Sequence, residues 1–168
     1  MFQHILLPTD GSQLSRDTAE RAVSFAKAAN ATITALYAKP IGNTDNIGDL
    51  VEPAVLDRLV AGADGKSKDY LGFIKKLCKD AGVECTTLSV ASDSPWEAIV
   101  NVAEDNDFDL IFMSKHGRGG LTSLLLGSET YRVLTHSSIP VLVYRPPEID
   151  ASRRKAKEKA REKERKRA

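Results

Sequence analysis

The sequence predicts a doubly wound α/β domain, a parallel sheet covered by helices on both faces. Two observations carry that prediction. Short apolar runs alternate with helical segments in the order β-α-β-α-β-α-β-α-β over residues 1–146. The strand-like runs are almost continuously apolar, as strands buried on both faces must be. The chain is also large enough for one such core, with 168 residues, 42% hydrophobic and 28% charged.

The first strand is "HILLPT" (4–9), an apolar run stopped by proline, and the second is "ATITALYA" (31–38), β-branched and alternating. Between them Ala19, Ala22, Val23, Phe25 and Ala26 recur at helical spacing, with charges opposite. A loop rich in Gly, Asn and Asp follows, then a long helical stretch over 53–81. Leu56, Leu59 and Val60 open that stretch, and Tyr70, Leu71, Ile74, Leu77 and Cys78 close it. Gly62 and Gly65 weaken its middle, where a break or bend is allowed. "VECTTLSVA" is the third strand. The next helix starts at "SPWE", with Ser94 as N-cap, Pro95 first in the helix and Glu97 placed to complete a capping box. "DLIFMS" is the fourth strand, "SETYRVLTHS" a helix, and "PVLVYR" the fifth strand. Trp96 is expected in the core or at an interface, and His136 to complement a helix dipole.

The net charge of +1 conceals a polarity. Residues 148–168 carry 10 Lys/Arg against 5 Asp/Glu, so a basic tail (147–168) follows a mildly acidic domain. Lys155, Lys159, Lys163 and Arg167 share one helical face in that tail. No apolar stripe accompanies them, so the tail is helical and solvated or disordered. Its plain role is solubility; the alternative is contact with an acidic partner or nucleic acid. No apolar run reaches the roughly 20 residues of a membrane span. The start "MFQHILLPTDGS" has no basic n-region, which gives a cytoplasmic expectation. Cys78 and Cys85, seven apart, fit no zinc or redox spacing and are expected as reduced thiols.

Ligands of such sheets settle outside the carboxyl ends of the strands. The loops there are "PTDGS", "AKPIGN", "ASDSP" and "SKHGRGG". The stretch "MSKHGRGGLTSLLLGS" (113–128) therefore lies on the ligand edge. Its glycines let backbone N–H groups close on an anion, His116 and Arg118 add donors, and Ser128 is placed to cap the next helix. A flexible loop with an ordinary serine cap satisfies the same spacing, which leaves both readings open. Asp10 falls at a helix start, where it serves either as a cap or as a contact to base or ribose.

Three other motifs fail. "GKS" (65–67) lacks the earlier glycine of a Walker A loop, which would fall at Val60. "HGRGG" resembles an esterase oxyanion loop, but no G-x-S-x-G accompanies it. His4, His116 and His136 have no metal-ligand spacing.

Together "ILLPTDGS", "MSKHGRGGLTSLLLGSET" and "SIPVLVYRP" resemble the universal stress protein family. Its ATP-binding members carry G-x2-G-x9-G-[S/T] after the fourth strand. Gly117 and Gly127-Ser128 reproduce the later glycines, and Ser114 stands at the first. The resemblance implies a five-stranded sheet of order 3-2-1-4-5 and ATP, AMP or ADP, with Mg2+, between strands 1 and 4. It implies adenine and ribose contacts at Pro8, Thr9 and Asp10, and an adenine-pocket lining at Ala38. The phosphate loop then maps to Met113, His116, Gly117 and Arg118, followed by Gly127, Ser128, Glu129 and Thr130. Ser114 adds a Cβ and Glu129 a carboxylate beside that loop. With no Walker A lysine or water-positioning group, at most slow ATP hydrolysis is expected. The implied function is a nucleotide-binding stress-response regulator or signalling dimer. The alternative is a nucleotide-free interaction module of the same fold. In either case an apolar edge strand at 140–145 favours a homodimer across a two-fold axis.

Overall fold

The structure, a computed structural model, describes residues 2–41, 53–116 and 126–146, with the backbone alone over 53–61. Five strands are present: β1 (His4–Pro8), β2 (Thr32–Lys39), β3 (Cys85–Ala91), β4 (Leu110–Ser114) and β5 (Val141–Tyr144). The helices between them are α1 (Gln13–Ala29), α2 (Pro53–Ala81), α3 (Pro95–Asp105) and α4 (Ser128–His136). All strands run parallel in one sheet of order β3-β2-β1-β4-β5, as expected.

Side-chain alternation along β1 builds two apolar layers at once. Ile5 and Leu7 join Ile33, Ala35, Leu110 and Phe112 under α1 and α2, which supply Ala22, Val23, Ala26, Leu71, Ile74 and Cys78. Leu6 points the other way, with Leu36, Ile111 and Met113, under Ile99, Val100 and Ala103 of α3 and Val133 of α4. Three consecutive leucine-like residues are needed in β1 because both of its faces are core.

α1 starts cleanly because Ser12 accepts the Ser15 N–H at 3.2 Å. It stops because Asn30 turns to φ 55°, a left-handed cap that returns its N–H to Ala26 and Lys27. α2 runs unbroken through Gly62 and Gly65, so the allowed break is not taken. Each glycine costs about 1 kcal/mol of helix propensity. That is less than the packing of Leu71, Ile74 and Cys78 against the sheet contributes.

Two helix starts differ from expectation. Ser94 is the N-cap of α3 by position, yet its side chain makes no capping bond. The Ser94 N–H donates to Ser92 Oγ at 3.1 Å, so Glu97 does not close a capping box. The cap of α4 is Gly127, and Ser128 is already the first helical residue. Gly127 is pinned there because its N–H donates to Lys115 O at 2.9 Å, while its own carbonyl accepts Tyr131 N–H at 2.8 Å.

Gly117, Arg118 and the tail lie outside the described residues, as do the side chains of Leu56, Leu59 and Val60. No described helix is long and apolar enough to cross a membrane.

Candidate functional site at the β1–β4 switch point

β1 sends the chain toward β2 on one side, and β4 sends it toward β5 on the other. Their carboxyl ends are therefore where the strand order reverses, the place open α/β sheets use for ligands. Two segments meet this edge.

The first is the turn from Pro8 to Ser12. Pro8 closes β1 opposite Leu36, and the Thr9 N–H continues the ladder to Leu36 O at 2.8 Å. The Thr9 hydroxyl lies 2.6 Å from Ser15 Oγ and accepts the Gly11 N–H at 3.2 Å, tying the turn to α1. Asp10 Oδ1 accepts the Ser12 N–H at 3.0 Å, so Asp10 shapes the turn while Ser12 caps the helix. Gly11 sits at φ 75°, and a Cβ there would run into the Tyr70 ring of α2. Ala38 lies on β2 two residues beyond Leu36, paired with Val90 and half-buried. Pro8, Thr9, Asp10 and Ala38 thus come from adjacent strands at one level of the sheet edge.

The second segment leaves β4. Met113 is 5% exposed and its side chain belongs to the α3–α4 core layer, which leaves only its backbone for a ligand. Ser114 turns its hydroxyl back onto its own chain, donating to His116 O at 3.1 Å, while Ser114 O accepts the Thr130 hydroxyl at 3.0 Å. Lys115 bridges the loop base: its N–H donates to Tyr144 O at 3.0 Å and its carbonyl accepts the Gly127 N–H. Here the absence of a side chain is a packing requirement. A Cβ on Gly127 would stand 2.9 Å from His116 Cα and 3.0 Å from His116 Cβ. The loop therefore closes on glycine because two backbone segments touch there, at an ordinary φ of −64°.

The result is an anion-friendly corner. α4 begins at Gly127, which brings no capping side chain of its own, and a helix N-terminus carries partial positive charge. Beside it His116 Nδ1 is buried and, among the described residues, has no hydrogen-bond partner. Glu129 turns its carboxylate away from its own helix end and accepts the Trp96 N–H at 3.0 Å, capping α3. Thr130 is 3% exposed and committed to Ser114. Ser128 is exposed at the helix start. Among the described residues, no three His, Cys, Asp or Glu side chains stand together as metal ligands would.

Two contributions were not legible beforehand. Tyr70 comes from a remote helix to cover Gly11, and nothing local in the sequence announces it. Lys39 at the end of β2 pairs with Asp64 of α2 at 2.8 Å. That hydrogen bond, with the lysine charge, holds the exposed Asp64 carboxyl below the usual range.

Sheet order and switch-point corner together define an open, doubly wound α/β protein whose ligand edge lies between β1 and β4. The universal stress protein family model matches residues 1–145, and the chain belongs to that family. It is 30% identical over 156 residues to universal stress protein MJ0531 of Methanocaldococcus jannaschii, spanning 88% of this chain and 84% of that one. The solved structure of MJ0577, a universal stress protein of the same organism, superposes with a TM-score of 0.70 at 29% identity. It covers 88% of this chain and 98% of MJ0577. A universal stress protein solved in complex with cAMP shares the fold at TM-score 0.65 and 23% identity, over 87% of this chain and 99% of that one.

Proposed function

We propose that this protein binds an adenine nucleotide, ATP or its AMP and ADP forms, at the β1–β4 edge, and acts as a stress-response regulatory dimer in the cytoplasm. The observation that carries the reading is the corner at α4. A helix N-terminus whose cap residue is a glycine stands beside a buried His116 Nδ1 that lacks a partner among the described residues. Phosphate oxygens satisfy both needs at once. The cAMP complex of a family member with this fold supports the choice of an adenine nucleotide.

In this reading Pro8, Thr9, Asp10 and Ala38 meet adenine and ribose. Met113 and Thr130, through their backbones, and His116, Gly117, Arg118, Gly127 and Ser128 surround the phosphates. Glu129 is no obstacle, because its carboxylate is engaged at α3. Mg2+ enters with the phosphates, and hydrolysis is at most slow, because the sequence has no Walker A lysine. The dimer forms through β5, whose four residues are all half-exposed, next to exposed Tyr131 and Leu134 on α4.

A second reading, a nucleotide-free interaction module, is favoured by Ser114, which fills its own turn with a hydrogen-bonded side chain. In it, the basic tail contacts an acidic partner or nucleic acid. Titration calorimetry of ATP into nucleotide-stripped protein separates the two. Micromolar binding that His116→Ala weakens supports the nucleotide site; no binding at millimolar ATP supports the module.

A further inference from the structure

The face of α2 that meets the sheet changes character toward the ligand edge. Leu71, Ile74 and Cys78 are apolar and belong to the buried layer over β2 and β3. Earlier on the same helical face stand Asp64, Ser67 and Tyr70, at i, i+3 and i+6. Each ties α2 to a different part of the edge. Asp64 accepts the Lys39 ammonium at 2.8 Å, at the last residue of β2. Ser67, 8% exposed, donates its hydroxyl to Ser89 Oγ at 3.0 Å, near the end of β3. Tyr70 reaches the turn after β1.

The Tyr70 ring makes two contacts there. Its carbons occupy the space that a side chain on Gly11 would need, so the ring lies against the backbone of the Pro8–Ser12 turn at its left-handed residue. It also meets Tyr37 edge-on, with centroids 5.4 Å apart and planes at 83°. Tyr37 is 6% exposed and immediately precedes Ala38 in β2. One side chain thus braces both segments that the nucleotide reading assigns to adenine and ribose. The bonds of Gly11 N–H to the Thr9 hydroxyl and of Ser12 N–H to Asp10 set the turn's shape, and the ring closes it from outside. The phosphate side is built separately, from the end of β4 and the start of α4, and α4 packs on the other face of the sheet.

We infer that Tyr70 is the positioning residue for the adenosine half of the site: its ring holds the Pro8–Ser12 turn and the end of β2 in the arrangement that receives base and ribose. This rests on the adenine-nucleotide reading above. A turn already held in place spares the ligand the cost of ordering it. Loss of the ring therefore weakens the adenosine contacts and leaves the anion corner at α4 as it was. The ring carries the effect rather than the hydroxyl, because ring carbons are what Gly11 meets.

The test titrates AMP and, separately, inorganic tripolyphosphate into full-length, nucleotide-stripped protein by calorimetry. AMP affinity should fall about tenfold in Tyr70→Ala, from the ordering cost returned to the turn, with tripolyphosphate affinity unchanged. Tyr70→Phe should keep the wild-type AMP affinity. Hydrogen exchange without ligand is the second readout. The peptide 9–15 should exchange faster in Tyr70→Ala but not in Tyr70→Phe, and the β4 peptide 110–114 should not change. A tyrosine that only touched the base would leave that exchange as in wild type. Thermal melting checks folding, and Tyr70→Leu, apolar and without a ring, replaces Tyr70→Ala if the alanine variant is unfolded. Wild-type protein that binds neither ligand would overturn the nucleotide reading and this inference with it. Where wild type binds, this inference alone is overturned by equal losses for both ligands, by AMP affinity unchanged in Tyr70→Ala, by Tyr70→Phe losing as much as Tyr70→Ala, or by unaltered exchange at the turn.

Discussion

The carboxylate of Glu129, second residue of α4, accepts the backbone N–H of Trp96, second residue of α3, at 3.0 Å. α3 and α4 follow parallel strands and begin at the same sheet edge, so one helix lends its acid to the other's positive end. Ser94 makes no side-chain cap of its own, which makes this tie the side-chain cap of α3. Glu129→Ala is expected to lose about 1–2 kcal/mol in urea denaturation, and Glu129→Gln a smaller part of that. Trp96, the sole tryptophan of the chain, has its ring centroid 4.7 Å from that of His136, the two planes tilted by 48°. Its emission should therefore shift in the alanine variant. Unchanged stability and emission would show that the tie is not formed.

Glycines at two places should respond oppositely to alanine. Gly127→Ala brings a Cβ to 2.9 Å from His116 Cα, both backbone-held, so about 1–3 kcal/mol of destabilisation is expected. At Gly65, inside α2, an added Cβ meets nothing within 4 Å, so Gly65→Ala should stabilise by about 0.5–1 kcal/mol. Thermal melts of the two variants decide; equal shifts would refute the packing role of Gly127.

Glu104 of α3 accepts the Ser138 N–H at 3.0 Å and the Ser138 hydroxyl at 2.7 Å. The backbone bond first, then the hydroxyl, holds its carboxyl below the usual glutamate range. A lowered carboxyl stabilises the fold above the ordinary glutamate range, and this is lost as pH falls through the lowered pKa. Wild type should therefore exceed Glu104→Gln in stability near neutrality, and the gap should close in acid. A gap independent of pH would rule the linkage out.

The proposed dimer places Leu134, 41% exposed on α4, near the β5 edge. Leu134→Glu should yield monomers in sedimentation with the melting temperature of the isolated subunit little changed. A wild-type chain that sediments as a monomer at micromolar concentration would dispose of the dimer.

Deleting 148–168 should leave ATP affinity unchanged, while any binding of the chain to an acidic polymer should disappear. That binding should weaken steeply with salt in the intact protein. Salt-independent binding would exclude an electrostatic role for the tail.

Most of the framework was legible in the sequence because local pattern and tertiary environment agree. Ile5-Leu6-Leu7 is apolar throughout since both faces of β1 are core, and the alanines of α1 recur on the side that meets the sheet. Helix starts were less legible. Ser94, Glu97 and Ser128 match local cap patterns, but bonds from Ser92, Glu129 and Lys115 decide those ends. Glu129 is far away in the chain, Lys115 acts through its backbone, and Ser92 competes from two residues upstream, so none leaves a periodic trace.

By itself, then, the sequence determined the order of elements, the apolar faces and which loops reach the ligand edge, because burial and helix or strand period are written residue by residue. Only the tertiary structure decided that Gly127 is there to let two backbone segments touch and that Glu129 serves a neighbouring helix. It alone brought Cys85 onto the apolar layer that holds Cys78. Those are contacts between segments, and distance in space follows from how the sheet and its turns stack rather than from spacing along the chain.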